Sequence, residues 1–121
     1  MYGWTQPKFH STSARLLAVA ARELPPVIWK ASRELGWKPR EVDVIVPHQV
    51  SNSFARKMCM LMGVPIDRCI LTLEQFGNCG AASVPLALSH GVATGRVKKD
   101  DRVALLAAAA GFSAGVVGMV W

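Results

Sequence analysis

A histidine and an asparagine are the residues of this chain whose types and surroundings could do chemistry. His48 directly follows the apolar run Val44-Ile45-Val46-Pro47, which is typical of a buried strand. Asn78 stands in Phe76-Gly77-Asn78-Cys79-Gly80, just ahead of a segment of small residues. Two such side chains at strand or loop ends could together bind one carbonyl oxygen. The pair predicts acyl-group chemistry, although the sequence shows no matching nucleophile.

Each of the two residues also has a purely structural explanation. A lone histidine is often a core or turn residue, and an asparagine beside Gly77 is often in a left-handed turn. The position of His48 directly after a predicted strand favours a functional role, because ligands of open α/β sheets bind beyond the carboxyl ends of the strands. A neutral imidazole there can donate a hydrogen bond or accept a proton, and the Asn78 amide can donate to an oxyanion. Gly77 and Gly80 would let the backbone approach a ligand closely.

The first part of the chain is predicted to hold helices on either side of a short strand. Ser11-Thr12-Ser13 can cap a long helix with apolar residues at helical spacing, and Gly36 is its predicted C-cap. Pro25-Pro26 predicts a kink or a break into two helices. Residues 42–46 are typical of a parallel strand buried on both faces, and residues 51–62 of a helix closed by Gly63. Residues 70–73 are predicted as a second, short strand.

The second part is predicted to hold one helix and two strands. Residues 81–94 are apolar almost all round, which is typical of a helix inside a larger body, and Pro85 fits only its first turn. An exposed turn at residues 95–101 precedes two candidate strands, 102–110 and 114–120. The element order predicts one α/β layered unit with no internal repeat or linker.

Composition narrows the class of protein. The chain has 121 residues, of which 51% are hydrophobic and 18% charged. It is long enough to bury a core, and the low charged fraction indicates a large interface with a partner. The net charge is +6, but basic residues are scattered and no aromatic-interleaved basic run occurs. We therefore expect an acidic protein or a phosphorylated ligand as partner and no nucleic acid.

The cysteines and the apolar tracts indicate a compartment. Cys59, Cys69 and Cys79 do not have zinc-ligand spacing, and an odd number argues against a closed disulfide framework. A reducing environment is the simpler interpretation. The first residues do not resemble a signal peptide, and no apolar tract reaches the ~20 residues of a membrane helix. We expect a cytoplasmic, soluble protein that is not bound to a membrane.

Three segments together resemble a known family. They are Val46-Pro47-His48-Gln49, Phe76-Gly77-Asn78-Cys79-Gly80-Ala81-Ala82-Ser83-Val84-Pro85 and Ala110-Gly111-Phe112-Ser113-Ala114-Gly115. They are similar to the C-terminal half of β-ketoacyl-ACP synthase III, a condensing enzyme of the thiolase fold. The resemblance covers residues 11–121 and implies a thiolase-like half with a layered mixed sheet, a buried helix and flanking helices. Residues 1–10 are predicted as a loop or the start of a fragment.

The resemblance implies roles for particular residues. His48 and Asn78 match the family's histidine and asparagine, which implies that they bind the thioester carbonyl of malonyl-ACP and stabilise the enolate left by decarboxylation. The family's oxyanion-hole backbone N–H falls at Ala110, within Ala109-Ala110-Gly111 where the family usually has three glycines. Arg56 and Lys57 fall where the family meets the carrier protein and its phosphopantetheine, although both could simply form a solvated face.

The resemblance also implies what this chain does not supply. The family's nucleophilic cysteine lies in the N-terminal half, and none of the three cysteines here is at the matching place. We therefore expect a separate or missing N-terminal half, and condensing activity only in the complete enzyme, an expected homodimer of fatty acid or polyketide synthesis. Acyl-CoA and malonyl-ACP are the implied substrates, and neither a metal nor any other cofactor is expected.

Two alternatives stay open. Acyl-CoA head-to-head condensing enzymes of olefin synthesis also show His-Gln-Val and a closing tryptophan similar to Trp121. This chain has Val50-Ser51-Asn52 where the synthase III family commonly has Ala-Asn. The residues expected to hold His48 in place therefore differ from those of the family. The other alternative is a non-catalytic scaffold, a half-domain that dimerises to cover its apolar face.

Overall fold

A long helix, α1 (Ser13–Leu35), packs along one face of a small sheet. The computed structural model describes residues 13–109 and 111–121; the predicted loop at 1–10 and the predicted cap residues Ser11 and Thr12 lie outside this range. The helix runs through Pro25 and Pro26, so of the predicted kink or break into two helices, the break is wrong and the kink stays a prediction. Each proline removes one helical N–H donor, but buried Leu24 on one side and Leu35, which lies over Gly118, on the other hold both halves against the sheet.

The end of α1 follows the sequence prediction. Gly36 has a φ of +69°, the left-handed conformation that ends many helices, and its N–H donates to the Arg33 carbonyl at 3.3 Å. The Trp37 N–H donates to the Ser32 carbonyl at 3.0 Å, so the chain reverses tightly towards the sheet. Gly36 is confirmed as the C-cap.

The sheet is mixed and has three strands in the described part of the chain. Strand β1 (Val44–Pro47) is buried throughout and pairs in parallel with β2 (Arg102–Ala109), with Val44 opposite Val103. Strand β3 (Ser113–Val120) pairs antiparallel with β2, giving the order β1-β2-β3. The predicted parallel strand and the predicted pair of strands around Gly111 are thereby confirmed.

Two further helices agree with their predicted positions. Helix α2 (Asn52–Met62) begins after Ser51, whose hydroxyl accepts a hydrogen bond from the Phe54 N–H at 3.1 Å, and ends at Gly63 with a φ of +66°. A single-turn helix, α3 (Leu73–Phe76), follows a connecting segment. A 3₁₀ turn (Gly80–Ala82) then leads into α4 (Ser83–Ala93), with Pro85 in the first turn as predicted.

The predicted strand at residues 70–73 is wrong. Only one isolated bridge, from Ile45 to Cys69, joins this segment to the sheet, and the Ile70 N–H donates to the Ile45 carbonyl at 2.9 Å. Beyond it, the Gln49 side chain replaces a partner strand. Its amide group donates to the Ile70 carbonyl at 3.2 Å, and its oxygen accepts from the Thr72 N–H at 3.0 Å. The chain turns into α3 because a side chain, and not a backbone ladder, satisfies these groups.

Helices cover both faces of the sheet. On one face, α4 packs over Val46, Ile70 and Val103, which are fully buried. On the other face, Leu24 of α1 and Met58 of α2 pack over Leu106. The expectation that α4 is deeply buried is met on one side only, because Ser83, Ala87 and Gly91 are its buried residues. None of the described helices is at once long and apolar enough to cross a membrane.

We predict that Gln49→Leu destabilises the fold. Gln49 is only 3% exposed, and its loss leaves the buried Ile70 carbonyl and Thr72 N–H without these partners. Each unsatisfied group costs about 1–3 kcal/mol, so urea unfolding should show a loss of at least that size. The control is Gln75→Leu, because Gln75 is exposed on α3. Equal stabilities of the two variants would contradict the structural role of Gln49.

Candidate active site

His48 lies at the first position beyond the carboxyl end of β1. Its backbone N–H donates to the Leu106 carbonyl at 2.7 Å, which continues the pairing with β2 one residue past Pro47. The side chain is half-buried, and this burial lowers the pKa of the imidazole below its ordinary 6.5. His48 is therefore held neutral at neutral pH, with one N–H to donate and one nitrogen to accept.

Asn78 lies in the loop between α3 and the 3₁₀ turn, with its amide orientation fixed by neighbours. Its side-chain oxygen accepts hydrogen bonds from the Gly80 N–H at 3.0 Å and from the Ser83 hydroxyl at 3.5 Å. Ser83 is buried and also accepts from the Cys79 N–H at 3.0 Å. Because the oxygen is engaged, the NH₂ group is the part of Asn78 that remains to donate to a ligand.

The left-handed alternative for Asn78 is wrong. In the described chain, the only non-glycine residues with positive φ are Asp100 and Phe112. In this loop the left-handed conformation falls on Gly77 and Gly80, with φ of +68° and +58°. The glycines bear the backbone cost of the turn, and Asn78 keeps an ordinary conformation that presents an amide.

The structure brings His48 and Asn78 into the wall of one open cleft of about 710 Å³. This volume is in the range of small-molecule binding sites. Apart from these two residues, the wall is formed mainly by small and apolar residues of α1, the start of α2, the 3₁₀ turn and start of α4, the end of β2 and the β2–β3 hairpin. These are Leu16, Leu17, Ala20, Val50, Phe54, Gly80, Ala81, Val84, Ala107, Ala108, Ala109, Phe112, Ser113, Ala114 and Gly115. Two hydrogen-bond donors thus line one cleft whose wall is otherwise largely apolar.

Two other predicted site positions stand differently. Ala110 lies outside the described residues, although its neighbour Ala109 lines the cleft. Arg56 and Lys57 are exposed on α2, within one turn of Phe54, which lines the cleft; neither of the two reaches the cleft wall itself. They lie beside the site and could meet a partner only at its rim.

The three cysteines are all in the described part of the chain, and none lines the cleft. Cys79 is exposed, and its thiol donates to the Phe76 carbonyl at 3.2 Å. Cys59 and Cys69 are buried against each other beneath α2. No three potential metal ligands cluster within the described ranges. The cleft therefore holds donors for a carbonyl but no thiol nucleophile of its own.

Sequence reasoning assigned no role to Gln49 or Ser83. Gln49 donates to the Pro47 and Ile70 carbonyls and accepts from Thr72, so it ties the His48 end of β1 to the segment that leads to Asn78. Ser83 fixes the Asn78 oxygen. A signal existed in each case: a polar residue next to the candidate pair, inside a segment otherwise built to be buried. Their partners could not be inferred, because they depend on contacts between separate segments.

Comparisons with known proteins agree with this geometry. The sequence model of the family described as 3-oxoacyl-[acyl-carrier-protein (ACP)] synthase III C terminal matches residues 33–121. The chain is 32% identical over 115 residues to beta-ketoacyl-[acyl-carrier-protein] synthase III 2 of Deinococcus radiodurans, covering 95% of this chain and 34% of that protein.

Solved structures give the same result. The 3-oxoacyl-(acyl carrier protein) synthase III FabH of Pseudomonas aeruginosa superimposes with a TM-score of 0.89 at 25% identity, over 93% of this chain and 36% of that one. OleA of Xanthomonas campestris, solved with bound lauric acid and lauroyl-CoA, gives 0.87 at 32% identity, over 92% and 33%. The chain spans about a third of the length of these relatives.

The predicted resemblance and the predicted thiolase-like α/β fold are confirmed. The family match covers the strand before His48, the Asn78 loop and the β2–β3 hairpin, and so most of the cleft wall; Leu16, Leu17 and Ala20 of α1 precede the matched residues. This chain therefore belongs to the family of 3-oxoacyl-[acyl-carrier-protein] synthase III C-terminal domains.

Proposed function

We propose that this chain is the C-terminal catalytic part of a condensing enzyme that joins an acyl thioester to malonyl-ACP with loss of carbon dioxide. The observation that carries the proposal is that His48 and Asn78 line the same, largely apolar cleft. Neutral His48 and the free amide of Asn78 offer two N–H donors to one carbonyl oxygen. Such a pair stabilises a negative charge that develops on that oxygen.

The proposed reaction follows from this placement. His48 and Asn78 donate to the thioester carbonyl of the malonyl group, and the carbon–carbon bond to the carboxylate breaks. Carbon dioxide leaves, and the electron pair forms an enolate whose oxygen is held by the two donors. The enolate carbon then attacks an acyl group carried on a cysteine, and the cysteine thiolate departs. The backbone N–H of Ala110 is the proposed donor to the tetrahedral intermediate of this second step.

The acyl-carrying cysteine has to come from outside this chain under the proposal. The cleft is open and no thiol lines it, and relatives are about three times as long as this chain. An uncovered apolar edge supports a large partner surface, since Val117 and Val120 of β3 are 58% and 60% exposed. The complete enzyme is proposed to be a homodimer. The substrates would bring the phosphopantetheine arm, and the steps above use no other cofactor and no metal. Three free cysteines support a reducing, cytoplasmic location.

Head-to-head condensation of two acyl-CoA thioesters is the second candidate. Its support is the 32% identity to OleA, a protein solved with bound lauroyl-CoA. In that reaction no carbon dioxide leaves in the condensation itself, so carbon dioxide release from malonyl thioester separates the two candidates. A non-catalytic scaffold would release none and would be indifferent to His48.

We predict that His48→Ala and Asn78→Ala each lower decarboxylation about 10²- to 10³-fold, because each removes one oxyanion donor. The measurement is carbon dioxide release from malonyl-ACP by this chain completed with the N-terminal part of the Deinococcus radiodurans relative. His90→Ala is the matched control, because His90 packs against Phe76 and does not line the cleft. Equal rates in all three variants would refute the role of His48 and Asn78.

The depressed pKa of His48 gives a prediction for stability against pH. Burial lowers this pKa below 6.5, so around and below pH 6.5 the unfolded chain binds the proton more readily than the folded one. Folding stability is then lost as pH falls through this window. His48→Gln removes that loss, so urea unfolding should show wild type losing more stability than the variant on acidification. Parallel pH profiles would show that His48 is not held neutral.

Arg56 and Lys57 are proposed to meet the acidic carrier protein at the rim of the cleft. We predict that Arg56→Glu/Lys57→Glu raises KM for malonyl-ACP about three- to tenfold in the completed enzyme, with kcat little changed. The control is Lys98→Glu/Lys99→Glu, which changes the charge by the same amount. Both of these residues precede β2 and lie towards the end of the sheet opposite His48. If the control raises KM as much, only net charge matters and the specific rim contact is wrong.

A further inference from the structure

Two of the three cysteines lie against each other in the core. Cys59 of α2 and Cys69, which follows a 3₁₀ turn (Ile66–Arg68), have their Sγ atoms 3.1 Å apart. Both side chains are buried, at 3% and 4% exposure, and both are reduced. We propose that Cys59 and Cys69 form a redox-modification site, which a small hydroperoxide such as hydrogen peroxide converts into a disulfide.

The two sulfur atoms lie close to bonding distance, between hydrogen-bonded backbone segments. A disulfide needs its sulfur atoms about 2.0 Å apart, so they have to approach by roughly 1 Å. Both ends of the ten-residue interval are held in place. The Cys59 carbonyl accepts from the Val64 N–H at 2.9 Å, and the Cys69 N–H donates to the Ile66 carbonyl at 2.9 Å. These hydrogen bonds fix the backbone beside each thiol, and the sulfur atoms have only roughly 1 Å left to close.

The two thiols are chemically different. Either thiol can donate in the hydrogen bond between them, and when Cys59 is deprotonated the Cys69 thiol donates to its sulfur, which lowers the pKa of Cys59. The same hydrogen bond and burial raise the pKa of Cys69. Cys59 is therefore the thiolate that attacks the oxidant, and Cys69 is the thiol that closes the bond.

A cavity large enough for the oxidant adjoins the thiol pair. Cys59 and Cys69 line a cavity of about 40 Å³, larger than the roughly 10–15 Å³ that one water needs. His48 and Phe54 belong to the walls of both this cavity and the open cleft. Hydrogen peroxide is little larger than water, so a molecule in this cavity lies beside the Cys59 and Cys69 side chains. Ser51 and His48 are polar residues in the wall of this cavity.

The chemistry balances with the peroxide as oxidant. The Cys59 thiolate attacks one peroxide oxygen, the O–O bond breaks, and the other oxygen leaves as hydroxide, which is protonated to water. The resulting sulfenic acid is attacked by the Cys69 sulfur; the sulfur–sulfur bond forms as the second oxygen departs as water. One peroxide is reduced to two waters, and two thiols lose two hydrogens.

The bond would join segments that carry the candidate site. Cys59 lies on the helix that follows His48, and Cys69 begins the segment that runs through Ile70 and Thr72 to Asn78. Gln49 already ties these segments by hydrogen bonds. Oxidation would add a covalent tie in parallel with Gln49, and it is independent of the reaction proposed for the cleft.

The test uses the reduced full chain with Cys79→Ser, which removes the exposed thiol. After treatment with hydrogen peroxide, we expect both remaining thiols to be lost to a thiol-counting reagent under denaturing conditions. Mass spectrometry should show a loss of two hydrogens, a peptide cross-linked through Cys59 and Cys69, and a monomer with a raised Tm. Added Cys59→Ser should abolish the cross-link and leave an oxygen adduct or an intact Cys69.

Two retained thiols, oxygen adducts without a cross-link, or bonds only between chains would each overturn the proposal. If Cys79→Ser does not fold, the wild-type chain with Cys79 alkylated in the native state replaces it, because Cys79 is exposed while the other two are buried. The same treatment in urea gives the rate without native packing. An equal rate there would show that the 3.1 Å approach has no influence on reactivity.

Discussion

The parallel pairing of β1 with β2 is the constraint on which the rest of this structure depends. β1 is only four residues long, and its burial on both faces leaves no freedom of register against β2. The last hydrogen bond of the pair is made by the His48 N–H to Leu106. Backbone pairing therefore fixes the position of His48 beyond the carboxyl end of β1, whatever contacts its side chain makes. The Gln49 side chain then links the end of β1 to the segment that leads to Asn78, through its hydrogen bonds to Ile70 and Thr72.

The part of the site that depends on local pattern could be predicted from the sequence. The apolar run before His48 gives a strand, and the strand's end gives a ligand-facing position. Ser51 and Gly63 bound α2 because caps act within one turn of the helix. The glycines around Asn78 indicated a tight loop but not which residue takes the left-handed conformation. That depended on the Asn78 oxygen finding Gly80 and Ser83.

The predictions that were wrong share a cause. Pro25-Pro26 should break a helix in isolation, yet α1 continues because contacts with the sheet on either side of the prolines outweigh the lost hydrogen bonds. Residues 70–73 have strand-like composition, but the Gln49 side chain takes the hydrogen-bonding groups that a neighbouring strand would have used. In both cases the deciding partner is distant in sequence. Secondary-structure propensity does not take such distant partners into account, and an apolar pattern indicates only that a segment is buried.

The fixed oxygen of Asn78 has a consequence for molecular recognition. An asparagine in a cleft can usually exchange its oxygen and nitrogen by a half-turn, and so accept from one ligand and donate to another. Here the Gly80 N–H and the Ser83 hydroxyl hold the oxygen inward, and a half-turn would set the NH₂ group against the Gly80 N–H and lose the hydrogen bond from Ser83. The Asn78 side chain can thus donate a hydrogen bond to a ligand but does not accept one from it. It favours ligands with an ester, thioester or ketone oxygen at this point and disfavours ligands with an N–H there. The polarity of the cleft is set by the loop before any ligand arrives.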